Sequence, residues 1–269
     1  MKRLGVLGWP VAHSRSPAMF AAAFAACAMA DWSYQRLPVA PELFEQTARA
    51  LGGSGFLGAN VTIPHKQAAL ALADSASPAA SAIGAANTLS FAPGGTIAAE
   101  NTDAPGLLAA IGESVVGRSA MVLGAGGSAR AAVWALIDAG VAEVRVWNRT
   151  PERALELAAA FGAQAVRTPR PADLLVNCTS VGLQRLASDA EALNQLALTA
   201  DLVGSYACVI DLVYGAQPTP LLAAASAAGA SAVDGLEVLV AQGALSFELW
   251  TGHAAPVEAM RAGARDEAA

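Results

Sequence analysis

Ala120-Met121-Val122-Leu123-Gly124-Ala125-Gly126-Gly127-Ser128-Ala129-Arg130-Ala131-Ala132 is the stretch whose reading decides the fold. A short apolar run stops at glycine and an alanine-rich, helix-favouring segment follows, which reads as strand, tight turn, helix. Gly124, Gly126 and Ala129 fit G-x-G-x-x-A, with Ala125, Gly127 and Ser128 between them. In a nucleotide-binding turn each has a job. Gly124 permits the turn, Gly126 lets a pyrophosphate approach the backbone, and small Ala129 lets the helix lie against the strand. The phosphates would sit on the helix N-terminus.

In a chain with 25 glycines the same pattern also fits an ordinary strand-to-helix turn, so its surroundings must carry the reading. Glu143 to Trp147 is a second strand-like run, and a dinucleotide fold places a ribose-reading residue at that strand's end. Here the strand ends in Asn148-Arg149-Thr150, with Arg153 close behind. An acidic residue would accept hydrogen bonds from a free ribose 2′-hydroxyl, whereas guanidinium groups suit a 2′-phosphate. The sequence therefore favours NADP over NAD, against the simpler reading of Arg149 and Arg153 as solvated helix-start residues.

With 269 residues the chain can bury a sizeable core in one large or two modest domains. Its net charge of −6 argues against a nucleic-acid footprint. Hydrophobic content is 55%, much of it alanine, and polar residues break every run short of the ~18 apolar residues of a membrane span. The basic N-terminus lacks a secretory apolar core, which together with the cysteines points to the cytoplasm. Cys27, Cys178 and Cys208 are widely spaced among small or apolar neighbours and are expected to be buried thiols. His13, His65 and His253 show no metal-ligand spacing, so no metal site is expected.

Upstream, Arg3 to Gly8 reads as a first strand and Ala18 to Ala30 as a helix, joined by Trp9-Pro10-Val11-Ala12-His13-Ser14-Arg15-Ser16-Pro17. Ser14 and Ser16 thus lie between a strand end and a helix start, where hydroxyls and free N–H groups can converge on an anion. The local alternative for Ser16 is an N-cap. Trp32 to Val39 and Gly55 to Thr62 read as strands, Pro41 to Leu51 and Gln67 to Ala73 as helices. Pro64 marks the last of these starts and puts Lys66 in the first turn, where the helix dipole disfavours a cation. A cation in a penalised position is a candidate for proton transfer. Its local alternative is a surface lysine. Gly84 to Ala99 reads as a glycine-turn hairpin. Asp103, with Pro105 behind it, reads locally as an N-cap.

Gly112 to Gly117 offers a break before the glycine fingerprint. Beyond it, Asp173 to Gly182 and Val209 to Tyr214 read as strands, with Thr219 to Gly229 and Gly235 to Trp250 as helices. Ligands of open parallel sheets sit beyond the carboxyl ends of the strands, which would put Thr179, Leu212 and Tyr214 at one rim.

Taken in order, several polar blocks form a set. They are Gly8-Trp9-Pro10, His13-Ser14-Arg15-Ser16-Pro17, Asn60-Val61-Thr62-Ile63-Pro64-His65-Lys66, Gly84-Ala85-Ala86-Asn87-Thr88-Leu89 and Asn101-Thr102-Asp103. Further along come Gly124-Ala125-Gly126-Gly127, Asn148-Arg149-Thr150, Gly235-Leu236, Gln242-Gly243-Ala244 and Trp250-Thr251-Gly252. The set closely resembles the shikimate dehydrogenase family over nearly the whole chain. Glu237 and Val238 depart from it, where many relatives carry glycine and methionine close to the nicotinamide.

The resemblance implies an α/β enzyme with a substrate-binding domain (1–103), a Rossmann-type doubly wound NADP domain (104–234) and C-terminal helices (235–269) returning to the substrate domain, with the active site between the domains. It implies reversible NADPH-dependent reduction of 3-dehydroshikimate to shikimate, on the way to aromatic amino acids, by a monomer or homodimer. Lys66 is then the general acid and Asp103 its partner. Ser14, Ser16 and Tyr214 take the substrate carboxylate, and Asn60, Thr62, Asn87 and Gln242 its ring oxygens. Gly235 joins the fingerprint glycines, Thr179 and Leu212 on the cofactor side.

Three other readings compete. An NAD-dependent quinate/shikimate dehydrogenase is disfavoured by Ser16 and by Arg149 with Arg153. A non-catalytic shikimate-sensing domain would be expected to lose Lys66 or Asp103. A folate-linked dehydrogenase does not suit the serine pair and the polar ring set.

Overall fold

The computed structural model describes residues 1–183, 188–215 and 217–266. The chain divides into two compact units, Met1–Gly106 with Leu239–Ala269, and Leu107–Val238. Both divisions fall inside helices.

In chain order the first unit contains β1 (Lys2–Gly8), α1 (Ser16–Ala26), β2 (Trp32–Pro38), α2 (Phe44–Gly53), β3 (Phe56–Val61), α3 (Lys66–Leu72), β4 (Ser75–Ala76), α4 (Pro78–Ile83), β5 (Thr88–Phe91), β6 (Ile97–Glu100) and the start of α5 (Asp103–Ile111). Its sheet runs β2-β1-β3-β5-β6-β4. β1 lies parallel to both β2 and β3, and β5 is antiparallel to β3 and β6. One core cluster gathers Leu7, Phe44, Phe56, Val61, Leu72 and Leu89. An aromatic cluster packs Phe20 against Phe24, Tyr34, Phe247 and Trp250.

The second unit continues with β7 (Ser119–Leu123), α6 (Gly127–Asp138), β8 (Glu143–Trp147), α7 (Pro151–Phe161), β9 (Gln164–Ala165), β10 (Leu174–Asn177), α8 (Asp189–Gln195), α9 (Ala200–Val203), β11 (Cys208–Asp211), α10 (Pro220–Ala227) and β12 (Ser231–Val233). α11 (Gly235–Thr251) begins here and ends in the first unit, which α12 (Val257–Arg265) completes. The sheet is wholly parallel, in the order β12-β11-β10-β7-β8-β9. Numbered along the chain within this unit, that is 3-2-1-4-5-6 read from the β9 edge, the doubly wound order that binds dinucleotides where the winding reverses. The reversal lies between β7 and β10. Apolar runs such as Leu174–Asn177 and Cys208–Asp211 are buried along their whole length, as a sheet covered on both faces requires.

Several local expectations change in the folded chain. α1 starts at Ser16 and stops at Ala26, and Cys27, at its C-cap, is half-buried rather than buried. The strands expected to run on to Gly182 and Tyr214 end at Asn177 and Asp211. In each case the last side chain folds back onto the backbone: Thr179 N–H donates to Asn177 Oδ1 (3.0 Å) and Val213 N–H to Asp211 Oδ1 (3.0 Å). That competition takes the chain out of the ladder. α4 lies in a stretch without a sequence assignment, although Ser77 caps it, Pro78 opens it and Gly84 closes it at φ 72°, all legible helix signals.

Candidate active site

The proton-transfer candidates meet in the first unit. Cis Ile63–Pro64 leads into α3, and Lys66 is its first residue. From there Lys66 Nζ donates to Asp103 Oδ2 at 2.7 Å, with the two side chains 11% and 18% exposed. The carboxylate offsets the unfavourable field at the helix start. Next to it, the His65 ring is buried, stacks on Phe44 at 4.3 Å and uses Nε2 on Val39 O at 2.8 Å. Burial lowers its pKa, so a neutral ring adds no charge beside Lys66, and Nε2 is the nitrogen that carries the proton.

Asp103 opens α5, but the capping bond expected of it comes from Asn101, whose Oδ1 accepts from Ala104 N–H at 3.2 Å. Its second oxygen, Oδ1, accepts from Asn87 Nδ2 at 2.8 Å. Asn87 is buried, and its Oδ1 takes Thr102 N–H at 2.7 Å. A backbone N–H can only donate, so this bond settles which way the amide points. Nδ2 also reaches Thr102 Oγ1 (2.9 Å) and Gln242 Oε1 (3.1 Å). Gln242 can approach because residue 106 is glycine: a Cβ there would lie 2.7 Å from Gln242 Cβ and 2.8 Å from its backbone nitrogen. α5 and α11 thus cross at backbone contact distance.

Asn60, on β3, donates to Ser246 Oγ (2.9 Å) and Thr88 Oγ1 (3.1 Å) and accepts from Tyr34 OH (2.8 Å). Thr62, two residues on, shares its side of the chain and is half-buried, its N–H on Leu7 O at 2.8 Å. Thr88, Thr102, Ser246 and Tyr34 were not among the sequence candidates. Ser246 was findable, because it stands one helical turn after Gln242 on the same face. Tyr34 gives no such signal.

Ser14 and Ser16 are buried side by side, and Ser16 N–H donates to Ser14 Oγ at 3.3 Å. Ser16 is therefore not a cap. It is the first helical residue, Arg15 sits at the cap position without a side-chain bond, and Ser14 supplies the oxygen. Tyr214 belongs to the second unit, half-buried just beyond β11.

The cofactor candidates lie along the carboxyl edge of the second sheet. Gly124 closes β7 at φ 108°, and a Cβ there would sit 3.2 Å from Cys178 C and O. Its N–H donates to Trp147 O at 2.8 Å, joining the turn to the end of β8. Ala125, Gly126, Gly127 and Ser128 follow, and Ala129 is buried in the cluster with Val122 and Val146. Gly126 precedes α6 without a side-chain cap, and nothing lies within 4 Å of where its Cβ would be. That open approach onto uncapped N–H groups fits a pyrophosphate.

Beside it, Asn148 Nδ2 donates to Thr150 O at 2.9 Å, and Arg149, Thr150 and Arg153 are exposed. Among the described residues neither guanidinium engages a carboxylate. Thr179 follows β10 and donates from Oγ1 to Asn177 Oδ1 at 2.8 Å. Leu212 N–H bonds Asn177 O at 3.0 Å, and Gly235 opens α11 against the carbonyls of Asp211 and Leu212.

Asp211 is a further buried group absent from the sequence candidates. It accepts from Asn177 Nδ2 (2.8 Å) and Thr219 Oγ1 (2.6 Å) as well as Val213 N–H. Burial pushes its pKa up to about 6 despite these three donors. Among the described residues no grouping of His, Cys, Asp and Glu could hold a metal ion, and no helix is long and apolar enough to cross a membrane.

Comparison with known proteins places this geometry. The shikimate dehydrogenase substrate binding domain model matches residues 6–89, the shikimate/quinate 5-dehydrogenase model 107–181, and the shikimate 5′-dehydrogenase C-terminal domain model 235–264. The shikimate dehydrogenase (NADP(+)) of Paracoccus denitrificans is 42% identical over 94% of this chain and 92% of its own length. The crystal structure of shikimate 5-dehydrogenase from Thermus thermophilus in complex with NADP(H) and shikimate superposes with a TM-score of 0.85. It is 42% identical and covers 98% of this chain and 99% of that one. Aquifex aeolicus shikimate dehydrogenase gives a TM-score of 0.87 at 34% identity, covering 99% and 98%. With identities of this size along essentially its full length, and with its lysine–aspartate pair and glycine fingerprint on the expected elements, the chain belongs to the shikimate dehydrogenase family.

Proposed function

We propose that this chain is an NADP-dependent shikimate dehydrogenase, interconverting 3-dehydroshikimate and shikimate with Lys66 and Asp103 as its catalytic pair. The observation that carries the assignment of roles is the 2.7 Å contact between Lys66 Nζ and Asp103 Oδ2, with Asn87 holding the other carboxylate oxygen. A nicotinamide cofactor supplies the hydride, and the protein supplies orientation and proton transfer. As the ketone is reduced, negative charge builds on its oxygen and Lys66 delivers a proton there. In the oxidation of shikimate the same amine takes the hydroxyl proton.

Asp103 keeps the ammonium aimed and offsets its charge, and Asn87 keeps Asp103 from rotating because the carboxylate is held at both oxygens. Asn60, Thr62, Asn87 and Gln242 offer neutral donors and acceptors to the ring hydroxyls, and Ser14, Ser16 and Tyr214 to the carboxylate. Such a site rejects analogues that leave its buried polar groups unpaired. The open approach at Gly126 would hold the pyrophosphate, and exposed Arg149 and Arg153 the 2′-phosphate. Thr179, Leu212 and Gly235 belong to the same carboxyl edge.

The test is an NADPH-absorbance assay crossing shikimate and quinate with NADP and NAD. Activity is expected with shikimate and NADP. A preference for quinate or for NAD overturns the specificity, and inactivity with all four pairs overturns the reading.

A further inference from the structure

The anion side of the site has a charge that no sequence motif announced. Arg36 lies on the edge strand β2, opposite Val6 of β1, and its half-buried guanidinium reaches the loop between β1 and α1. Nε and one Nη donate to Ser14 O at 3.1 and 2.9 Å. A guanidinium held on a backbone carbonyl keeps its full charge, since the carbonyl contributes only a dipole. Among the described residues Arg36 makes no ion pair.

Other cations close by along the chain are accounted for. Lys66 is paired with Asp103, and half-buried Arg15 donates to Asp266 O at 2.5 Å. His13 has its pKa lowered, first by burial and then by Arg36 itself, which leaves it neutral near pH 7. Ser14 Oγ already accepts from Ser16 N–H, so its own hydroxyl proton is available to donate. Covalent geometry puts the Arg36 charge within about 8 Å of that hydroxyl.

We infer that Arg36 is a specificity-determining residue for the substrate: its uncompensated charge beside Ser14 selects a ring bearing a carboxylate over the same ring bearing a neutral group. The inference rests on the dehydrogenase reading above. A protein with a net charge of −6 repels an anionic substrate at long range, and two serines alone would bind a neutral amide nearly as well as a carboxylate. The guanidinium breaks that tie. It also acts as a positioning residue, since its two bonds to Ser14 O set the loop that carries both hydroxyls. The two roles separate by charge. Loss of positioning weakens every ligand of the serines, whereas loss of the charge weakens only the anion. A Coulomb interaction across that distance, half screened by solvent, is expected to give about three- to tenfold in affinity.

The experiment compares wild type, Arg36→Gln and Arg36→Lys, with shikimate and its primary amide as substrates or competing ligands at saturating NADP. Arg36→Gln is expected to raise the KM for shikimate about three- to tenfold, with kcat within about twofold and the NADP KM unchanged. The amide should weaken less than shikimate, by the lost positioning alone, so that discrimination between the two ligands collapses. Arg36→Lys should restore most of that discrimination, because it keeps the charge and loses only the fork. An equal loss for both ligands, or none for either, overturns the inference while leaving the dehydrogenase reading standing. Wild-type protein inert toward shikimate overturns both.

Discussion

Replacing Lys66 by Met tests the proton-transfer role with the least disturbance to the fold. The side chain keeps much of its length and loses its proton. Asp103, 18% exposed at its side chain, loses one charged partner and retains Asn87 Nδ2 at 2.8 Å. The cost lies between the limits for exposed and buried pairs, about 1–2 kcal/mol. Removing a cation from the start of α3 returns about 0.3–1 kcal/mol. Net destabilisation should therefore stay near ~1 kcal/mol.

A positioned general acid contributes about 10²–10⁴ in rate, or about 3–5 kcal/mol of barrier. The chemical loss should then exceed the folding loss severalfold. Steady-state kinetics with shikimate and NADP, a urea melt and an NADP titration separate the two. Turnover should fall by about 10²–10⁴ while NADP affinity stays near wild type, because the glycine fingerprint lies in the other unit. Asp103→Asn should also slow turnover, and the double variant should be little worse than either single one, as groups acting together are not additive. A folded Lys66→Met protein with near-normal turnover refutes the mechanism.

Arg149→Ala should weaken NADP about ten- to a hundredfold and NAD much less, since the lost bond is to a phosphate NAD lacks; equal losses for the two cofactors would sink the assignment. Ser16→Ala should raise the KM for shikimate with little change in kcat, because the carboxylate is remote from the reacting carbon. A collapse of kcat at constant KM would contradict that role. Asp211 carries a pH signature. Its folded pKa of about 6 lies above the ordinary 3.8, so its contribution to stability is fully present below 3.8 and is lost as pH rises through about 6. Between pH 4 and pH 7 wild type should lose about 2 kcal/mol relative to Asp211→Asn. Urea melts across that range read the slope, in which the constant cost of the substitution cancels; a flat difference refutes it.

Periodicity and glycine placement are properties of short windows, and what they decide was legible without a fold. The turn at Gly124 and Gly126, the parallel sheet around it and the basic residues after β8 could all be read from the chain. So could Lys66 at a penalised helix start, and the polar blocks whose order marks the family. The tertiary structure decided the questions in which a local role competed with a distant one. Ser16 and Asp103 both read as helix caps, and no local feature could choose, since a cap and a ligand use the same oxygens.

In the folded chain Ser14 and Asn101, each two residues earlier, take the capping bonds, and Asp103 is left to Lys66 and Asn87. Asn87, Thr102, Gln242 and Ser246 meet only because α11, more than a hundred residues later in the chain, crosses α5 at Gly106. Arg36 is the extreme case. On an edge strand its side chain could as well have pointed into water, and only the pairing of β2 with β1 brings its charge to the loop of Ser14. Local chemistry is written in neighbouring residues, but the partner of a buried charge is chosen by which distant elements pack together.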